Sequence, residues 1–200
     1  AGLGDFGRPG NYFARQLARW TEQYRASETR VLPDMNALIA WLEKALPPDD
    51  GRSSLVHGDY RIDNMIFDMA SPRLLAVLDW ELSTIGHPFA DLAYQCMQWR
   101  LPNGGTMRGL AGTDRQALGI PTEAAYVARY EERTGADVRR HWTFYLAFSF
   151  FRLAAILQGV LKRALSGNAS NPEKGLRMGE RVPLLANMAL AAIASPDKTV

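Results

Sequence analysis

Several features that would narrow the class of this protein are scarce in its sequence. The 200 residues contain one cysteine, which excludes a disulfide framework and fits a reducing, cytoplasmic location. The formal net charge of +2 is too small to indicate nucleic acid or a membrane surface as a partner. No signal or transit pattern is visible, although the sequence begins at Ala1, and we expect the native start to lie elsewhere.

Long uninterrupted apolar runs are also missing, although 47% of the residues are hydrophobic, which is enough for one globular domain. The richest run extends from Trp142 to Leu161 and is interrupted by Ser149, Arg152 and Gln158. Because charge is costly at the centre of a bilayer, this run predicts a buried helix and not a membrane span.

Apolar spacing predicts a mostly helical α+β fold with one small β element. A single strand pattern and one hairpin pattern lie beside the most polar part of the chain, and after Asp79 the pattern is helical. Pro183 is expected to kink or divide the last helix. The predicted elements are helices beginning near Asn11 and at Pro33-Asp34, a strand at Leu55-Val56, a hairpin of Met65–Phe67 and Leu74–Leu78, a helix from Pro88, a loop over 102–119, and helices near 121–134, 138–165 and 173–194.

The residues between the first strand and the hairpin form the most informative motif. His57-Gly58-Asp59 is followed by Asn64, five positions after the aspartate. Asp79 closes an apolar strand twenty positions after Asp59. Each residue alone would indicate little more than a turn, and it is the joint spacing of the three that makes the motif specific.

This arrangement resembles the catalytic loop and metal-binding aspartate of the protein-kinase-like superfamily. The His-Gly-Asp form, with Leu-Asp-Trp-Glu at 78–81 and the run at 86–93, is similar to the aminoglycoside phosphotransferase family. The nearest branch is the one related to kinase-like domains fused to acyl-CoA dehydrogenases. The likeness extends from about Gly7 to Ala93 and more weakly beyond.

The resemblance implies a kinase-like C-terminal, large lobe over residues 1–200. Residues 1–50 would form its leading helices and 51–80 the catalytic loop and metal-binding hairpin. Residues 81–200 would form a helical acceptor-binding region. The implied reaction is transfer of the γ-phosphoryl group of ATP, with Mg²⁺, to a hydroxyl of a small molecule.

The resemblance also assigns roles to single residues. Asp59 would orient the attacking hydroxyl and accept its proton. Asn64 and Asp79 would supply oxygen ligands to Mg²⁺ and so help to bind the nucleotide. Arg61 falls where many kinases carry a lysine that reaches the transferred phosphoryl group.

Two further residues match supporting positions. His57 is expected to hold the loop, and Asp91 to tie the following helix to the backbone of the loop. Cys96 lies on the apolar stripe of its helix and is expected to be inert core, as are most aromatic residues of 142–151.

Two short motifs at the start of the sequence match kinase motifs in their letters but not in their position along the chain. Gly2 to Gly7 spells G-x-G-x-x-G and contains Asp5-Phe6-Gly7, but no strand precedes the run and Asp5 precedes the catalytic loop. No glycine-loop hairpin or strand lysine follows. We therefore expect that the N-terminal lobe, which would grip ATP, is missing here, and that the 200 residues alone have little or no activity.

The charge of the helical region bears on the acceptor. Residues 81–200 contain 14 basic and 10 acidic residues, which favours a neutral or anionic acceptor over a polycation. A hydroxylated acyl-CoA-like molecule, or another alcohol bearing phosphate or carboxylate, would suit this charge. The basic residues of this region include the arginines Arg100, Arg108, Arg115, Arg129, Arg133, Arg139 and Arg140.

Two other function classes stay open at this point. A catalytically silent kinase-like module could bind a ligand or a partner, although intact Asp59, Asn64 and Asp79 argue against loss of activity. A metal-dependent phosphoester hydrolase could use ligands from the same segment, but a second His/Asp pair with familiar metal spacing is missing. The ligands of that hydrolase would be His57, Asp59, Asp79 and His87.

Overall fold

The structure, a computed structural model, describes residues 2, 5–104 and 107–196, without the side chain of Arg108. Two residues of the glycine-rich run at 2–7 and two of the predicted loop at 102–119 lie outside the described residues. The described chain is mostly helical, as predicted. Its α-helices are α1 (Tyr12–Ser27), α2 (Pro33–Lys44), α3 (Phe89–Cys96), α4 (Glu123–Thr134), α5 (Trp142–Leu165), α6 (Pro172–Gly179) and α7 (Val182–Ala194).

Short antiparallel strand pairs make up the β structure of the described residues. The predicted hairpin is confirmed, with Met65 opposite Val77. The strand at 54–56 pairs with a strand at 84–86 that the helical pattern after Asp79 did not predict. That prediction was wrong there because three residues are too few to show a period. The pairs are β1 (Ser54–Val56) with β4 (Thr84–Gly86), β2 (Met65–Phe67) with β3 (Leu74–Val77), and β5 (Asn103–Gly104) with β6 (Met107–Arg108).

The prolines decide where two helices begin. Pro33 takes the first position of α2, so the helix begins at the predicted pair Pro33-Asp34 and Leu32 is its N-cap residue. A proline fits there because its missing N–H needs no partner in the first turn. The last predicted helix is divided into α6 and α7, and Pro183 lies in the first turn of α7.

Helix α5 forms the centre of the core. It packs against α1, α3, α6 and α7. By length and composition the run Arg139–Leu165 could cross a membrane, but 72% of its most apolar window is buried, as expected of a core helix. Cys96 and the large aromatic residues of 142–151 are buried with it, as predicted.

Two glycines bring α6 unusually close to α5. A Cβ atom at Gly179 would lie 2.6 Å from the Cβ of Leu161, and one at Gly175 would lie 2.8 Å from the Cβ of Ala164. Neither position can accept a larger residue without movement of the helix. The glycines therefore determine where the side chains of α6 stand.

Candidate active site

Helix α3 is joined directly to the loop that follows strand β1. Asp91, in the first turn of α3, accepts the backbone N–H of His57 at 2.6 Å with one carboxylate oxygen. Its other oxygen accepts the N–H of Gly58 at 2.9 Å. Burial raises the pKa of Asp91, and these hydrogen bonds oppose the rise. One carboxylate thus holds two successive backbone groups of the predicted catalytic loop.

His57 links this loop to the end of the hairpin. Its Nδ1 accepts the N–H of Asp59 at 3.1 Å, so Nε2 carries the proton and donates to the carbonyl of Leu78 at 2.7 Å. The imidazole is 2% exposed and lies 4.7 Å from the ring of Trp80. Both ring nitrogens are therefore used within the protein, and neither is left for a metal ion.

Gly58 gives the loop a shape that other residues adopt only under strain. Its φ is +85°, in the left-handed region, and a Cβ there would lie 2.7 Å from the carbonyl oxygen of Leu82. The backbone can therefore pass close to the segment after β3 only because residue 58 has no side chain.

The side chain of Asn64 holds Asp59 in place. Its Nδ2 donates at 2.9 Å both to the backbone carbonyl of Asp59 and to carboxylate Oδ2. Residues Ile62–Asn64 form a 3-10 turn that brings the amide back to the aspartate. Because the amide nitrogen makes both bonds, the amide oxygen is left to accept or to act as a ligand.

The hairpin brings Asp79 close to Asn64. The N–H of Leu78 donates to the carbonyl of Asn64 at 2.8 Å, so Asp79 directly follows a residue bonded to Asn64. Asp79 has φ +66° and ψ +50°, a left-handed conformation that is uncommon outside glycine and frequent at functional sites. Its carboxylate is exposed.

These two side chains fit a magnesium ion by their chemistry. The amide oxygen of Asn64 and the carboxylate of Asp79 are hard oxygen donors, and Mg²⁺ takes few protein ligands together with phosphates and water. Among the described residues no group of three or more His, Cys, Asp or Glu side chains could hold a metal ion.

Arg61 forms an ion pair with a nearby residue of the loop. Its Nη2 donates to the carboxylate of Asp63, two residues further on, and the two form an ion pair. Both side chains line a neighbouring cavity. Asp63 was not predicted to belong to the site. Its negative charge partly neutralises the positive charge of Arg61, which was predicted to belong to it.

This cavity has a volume of about 610 Å³ and lies between the loop and the helices α3, α5 and α6. Its charged wall contains Arg61, Lys174 and Arg181 opposed by Asp63, which leaves an excess of positive charge. Its apolar wall consists of Met97, Leu101, Met107, Leu153, Leu157 and Met178.

Besides Asp63, the cavity residues that sequence reasoning missed include Tyr94, Lys174 and Arg181. Tyr94 could have been found, since it follows Asp91 by three residues and so shares its face of α3. No local pattern marks Lys174 or Arg181, because only the packing of α6 on α5 brings them to the loop.

The arginines that suggested a neutral or anionic acceptor lie elsewhere. Of those whose side chains are described, none lines this cavity. Arg100 pairs with Glu123 at 3.0 Å, and Arg139 pairs with Glu131 at 3.0 Å. The summed charge of residues 81–200 therefore does not describe the charge on the cavity wall.

Comparison with known proteins places this site in a family. The family described as "Phosphotransferase enzyme family", APH, matches residues 1–145. The chain belongs to this phosphotransferase family, as the sequence predicted.

Individual relatives agree with the predicted branch. Mouse acyl-CoA dehydrogenase family member 10 is 51% identical over 170 residues, which is 84% of this chain and 16% of the mouse protein. Human acyl-CoA dehydrogenase family member 11 is 39% identical over 175 residues, or 87% of this chain and 22% of the human protein. The predicted kinship with proteins of the acyl-CoA dehydrogenase family is confirmed.

A solved structure shows the same fold. The crystal structure of a protein from Ralstonia eutropha JMP134, described as an aminoglycoside phosphotransferase, superposes with a TM-score of 0.88 and 53% identity. The match covers 94% of this chain and 57% of the Ralstonia chain. This chain therefore spans little more than half of that phosphotransferase and a quarter or less of the acyl-CoA dehydrogenase relatives.

Proposed function

We propose that this chain is the large lobe of an ATP- and Mg²⁺-dependent phosphotransferase that transfers the γ-phosphoryl group to a hydroxyl of a small molecule. In this lobe residues 51–80 carry the catalytic loop and metal-binding hairpin, and 81–200 bind the acceptor. The observation that supports it best is the Asp59 carboxylate, held by Asn64 beside a cavity large enough for an organic acceptor.

In the proposed reaction Asp59 orients the acceptor hydroxyl and takes its proton as the oxygen attacks phosphorus. Asn64 and Asp79 would hold Mg²⁺, which neutralises charge on the phosphates when it is bound. Arg61, kept in place by its ion pair with Asp63, would donate its remaining N–H groups to the developing negative charge. His57 and Asp91 take no part in proton transfer, because their polar atoms are bonded to the backbone of the loop.

Replacement of Asp59 tests this assignment most directly. In the full-length protein Asp59→Asn keeps the hydrogen-bonded shape but loses the base, and we expect kcat to fall by about 10²- to 10⁴-fold. A screen of hydroxylated molecules with wild type beside this variant would identify the acceptor. Equal turnover by both proteins would contradict the proposed role of Asp59.

A second lobe is proposed to complete the nucleotide site. Large apolar side chains of the hairpin and of the turn after it are exposed, and apolar clusters of this kind commonly mark interaction sites. The partial coverage of the relatives agrees with a longer protein. These side chains, each more than 40% exposed, are Ile66, Phe67, Leu74, Leu75, Leu78, Trp80 and Leu82.

The proposal predicts that the 200 residues alone bind ATP weakly and turn it over little or not at all. Isothermal titration with ATP and Mg²⁺, and a transfer assay, would compare this chain with the same chain extended toward its N-terminus. Robust ATP-dependent transfer by the 200 residues alone would disprove the need for a second lobe.

The cavity supports a neutral or anionic acceptor with an apolar body. Three cationic side chains face one carboxylate on its wall, and methionine and leucine side chains form the rest. A polycationic acceptor would meet like charges there. Selective phosphorylation of aminoglycosides by the full-length protein, with no turnover of anionic alcohols such as hydroxyacyl-CoA molecules, would overturn this part of the proposal.

The alternative of a metal-dependent hydrolase gains no support from the site. Both nitrogens of His57 are engaged, and those of His87 meet Asp50 at 3.1 Å and the N–H of Phe89 at 3.3 Å. Two of the four ligands that this reading needs are therefore occupied. No observation specifically favours the catalytically silent module either.

A further inference from the structure

A wall segment, residues 97–104 and 107–111, follows helix α3 and lines part of the cavity beside the catalytic loop. Its two arms lie side by side, since the N–H of Leu110 donates to the carbonyl of Gln98 at 2.8 Å. What holds this segment against the rest of the protein therefore decides the shape of the cavity on this side. Its lining side chains are Met97, Gln98, Leu101 and Met107.

Two successive residues, Trp99 and Arg100, attach the wall segment to the beginning of α4. The indole Nε1 of Trp99 donates to the carbonyl of Pro121 at 2.8 Å, and its ring lies 5.1 Å from that of Tyr126. The Nη2 of Arg100 lies 3.0 Å from both carboxylate oxygens of Glu123. Neither Trp99 nor Arg100 is among the described residues that line the cavity, so this pair serves as the anchor of the segment.

Glu123, the first residue of α4, connects this anchor to the central helix of the core. Its Oε1 also accepts the indole N–H of Trp142, the first residue of α5, at 2.9 Å. Both residues are buried. Further along α5, Leu153 and Leu157 line the cavity, whereas no α4 residue does. One carboxylate behind the wall thus joins two of the elements that form it.

An ion pair is not the most stabilising way to fill this place. The side chain of Arg100 is 22% exposed and that of Glu123 is 10% exposed. Removing two charges from water costs about as much free energy as their attraction returns, so an apolar pair of similar size is often as stable. An apolar pair lacks direction, however, because charged hydrogen bonds meet a carboxylate at fixed positions. The pair therefore suits the fixing of one arrangement better than the gain of stability.

We propose that Glu123 is a positioning residue for the acceptor. Through its ion pair with Arg100 it determines where the wall segment lies, and the wall segment determines how well the acceptor fits the cavity. Glu123 itself does not touch the acceptor, because it lies behind the wall. Its loss should therefore weaken acceptor binding and leave the reaction step at Asp59 unchanged. This inference rests on the phosphotransferase function proposed above.

A kinetic test uses Glu123→Gln in the full-length protein, with the acceptor found by the screen. The shape of the side chain and an oxygen for Trp142 are kept, but the charge opposite Arg100 is lost. KM for the acceptor should rise by about tenfold and kcat should change by less than about twofold, since a displaced wall weakens ground-state and transition-state binding equally. Glu131→Gln is the matched control, because Glu131 also lies on α4 and pairs with Arg139 at 3.0 Å away from the cavity lining.

Several kinetic outcomes would overturn the inference. An unchanged KM in Glu123→Gln would show that the wall segment keeps its place without the ion pair. A lowered kcat with unchanged KM would mean that Glu123 acts on the reaction step and not on the fit of the acceptor. An equal rise of KM in Glu131→Gln would mean that any ion pair of α4 has the same effect.

A double variant separates positioning from stability. Glu123→Gln alone leaves the charge of Arg100 uncompensated by residue 123, so the urea midpoint of unfolding should fall. Arg100→Met combined with Glu123→Gln removes both charges, and the midpoint should return toward the wild-type value. KM should nevertheless stay raised, because the directional contacts are still missing. If KM recovered together with the midpoint, the pair would only stabilise the fold, and the inference would be wrong.

A spectroscopic test does not depend on turnover. In the 200-residue chain labelled with carbon-13 at the methionine methyl groups, the signals of Met97 and Met107 are identified by their loss in Met97→Leu and Met107→Leu. Both signals should shift in Glu123→Gln and in the double variant, and stay in place in Glu131→Gln. The signal of Met35, which is buried on α2, should not move in any of them.

This measurement also separates the inference from the function on which it rests. If the full-length protein transferred no phosphate, the proposed function would fail, yet the methionine signals would still decide whether Glu123 holds the wall segment. Unmoved signals of Met97 and Met107 in Glu123→Gln would overturn the inference even if the full-length protein were an active phosphotransferase.

Discussion

In the loop around Asp59 most polar groups are held by other groups of the protein, whereas two of the three cations on the cavity wall have no such partner among the described residues. Both oxygens of Asp91 and both nitrogens of His57 are hydrogen-bonded within 3.1 Å. The side chains of Lys174 and Arg181, by contrast, make no hydrogen bond or ion pair with other described residues. A fixed loop suits chemistry, which needs groups already in place. An open wall suits recognition, which can adapt to the acceptor.

This difference predicts that changes in the loop reduce kcat and stability, while changes on the wall act on KM. The largest effect is expected for Asp91→Ala, which leaves two buried N–H groups without a partner. The free energy of unfolding of the 200-residue chain should fall by about 3 kcal/mol. Urea denaturation would measure it. Glu173→Ala, which removes an exposed pair with Arg177, should cost less than about 0.5 kcal/mol. Equal losses of unfolding free energy in the two variants would show that the hydrogen bonds of Asp91 contribute no more to stability than an exposed ion pair does.

Gly58→Ala should come next, at about 2 kcal/mol of lost stability, because it combines a left-handed backbone with a contact to the Leu82 carbonyl. In the full-length protein kcat should also fall, since the loop must move. Gly167→Ala separates the two causes. Gly167 also has a positive φ, +73°, but a Cβ there meets no atom within 4 Å. A loss in Gly167→Ala as large as in Gly58→Ala would show that close approach to Leu82 contributes nothing.

Gly179→Ala is expected to cost about 1 to 2 kcal/mol by overpacking against Leu161. It should displace α6 and with it the cations of the cavity wall, so KM should rise while kcat is kept. Gly159→Ala on α5 is the matched control, because a Cβ there meets only the end of Arg163 at 3.7 Å. That variant should stabilise the protein by about 0.5 to 1 kcal/mol, as alanine does in a helix. Thermal unfolding of both variants would test whether Gly179→Ala lowers the stability of the protein and Gly159→Ala raises it.

The smallest effect is expected for Lys174→Ala, which removes one exposed cation from the cavity wall. Stability should stay within about 0.5 kcal/mol of wild type. With an anionic acceptor KM should rise by about threefold at unchanged kcat, and added salt should reduce the difference. Lys162→Ala, which removes an exposed cation remote from the cavity lining, should change neither parameter. A fall in kcat for Lys174→Ala would mean that Lys174 affects the reaction step, as the loop residues are expected to do, and not acceptor binding alone.

Most contacts predicted from the residues themselves join partners that lie close along the chain, whereas the contact of Asp91 with the loop 33 and 34 residues earlier was implied by the family resemblance. Asp59 and Asn64 are five residues apart and hydrogen-bond each other, and the hairpin that carries Asp79 was predicted from its apolar runs. Strand β4 was missed because its partner lies thirty residues earlier and its own three residues carry no period. The cations of the cavity wall were missed for a similar reason, since total charge does not say which side chains meet.

By itself the sequence determined the helices, the hairpin and the spaced triad of Asp59, Asn64 and Asp79, because these depend on periodicity and on contacts between near neighbours. Its family could also be identified by the resemblance that those residues carry. Only the tertiary structure decided that Tyr94 lines the cavity beside the loop, that Asp63 pairs with Arg61, and that Lys174 and Arg181 lie on the wall of the same cavity. Those contacts depend on how α3, α5 and α6 pack, and packing is decided by the shapes of surfaces far apart in the chain.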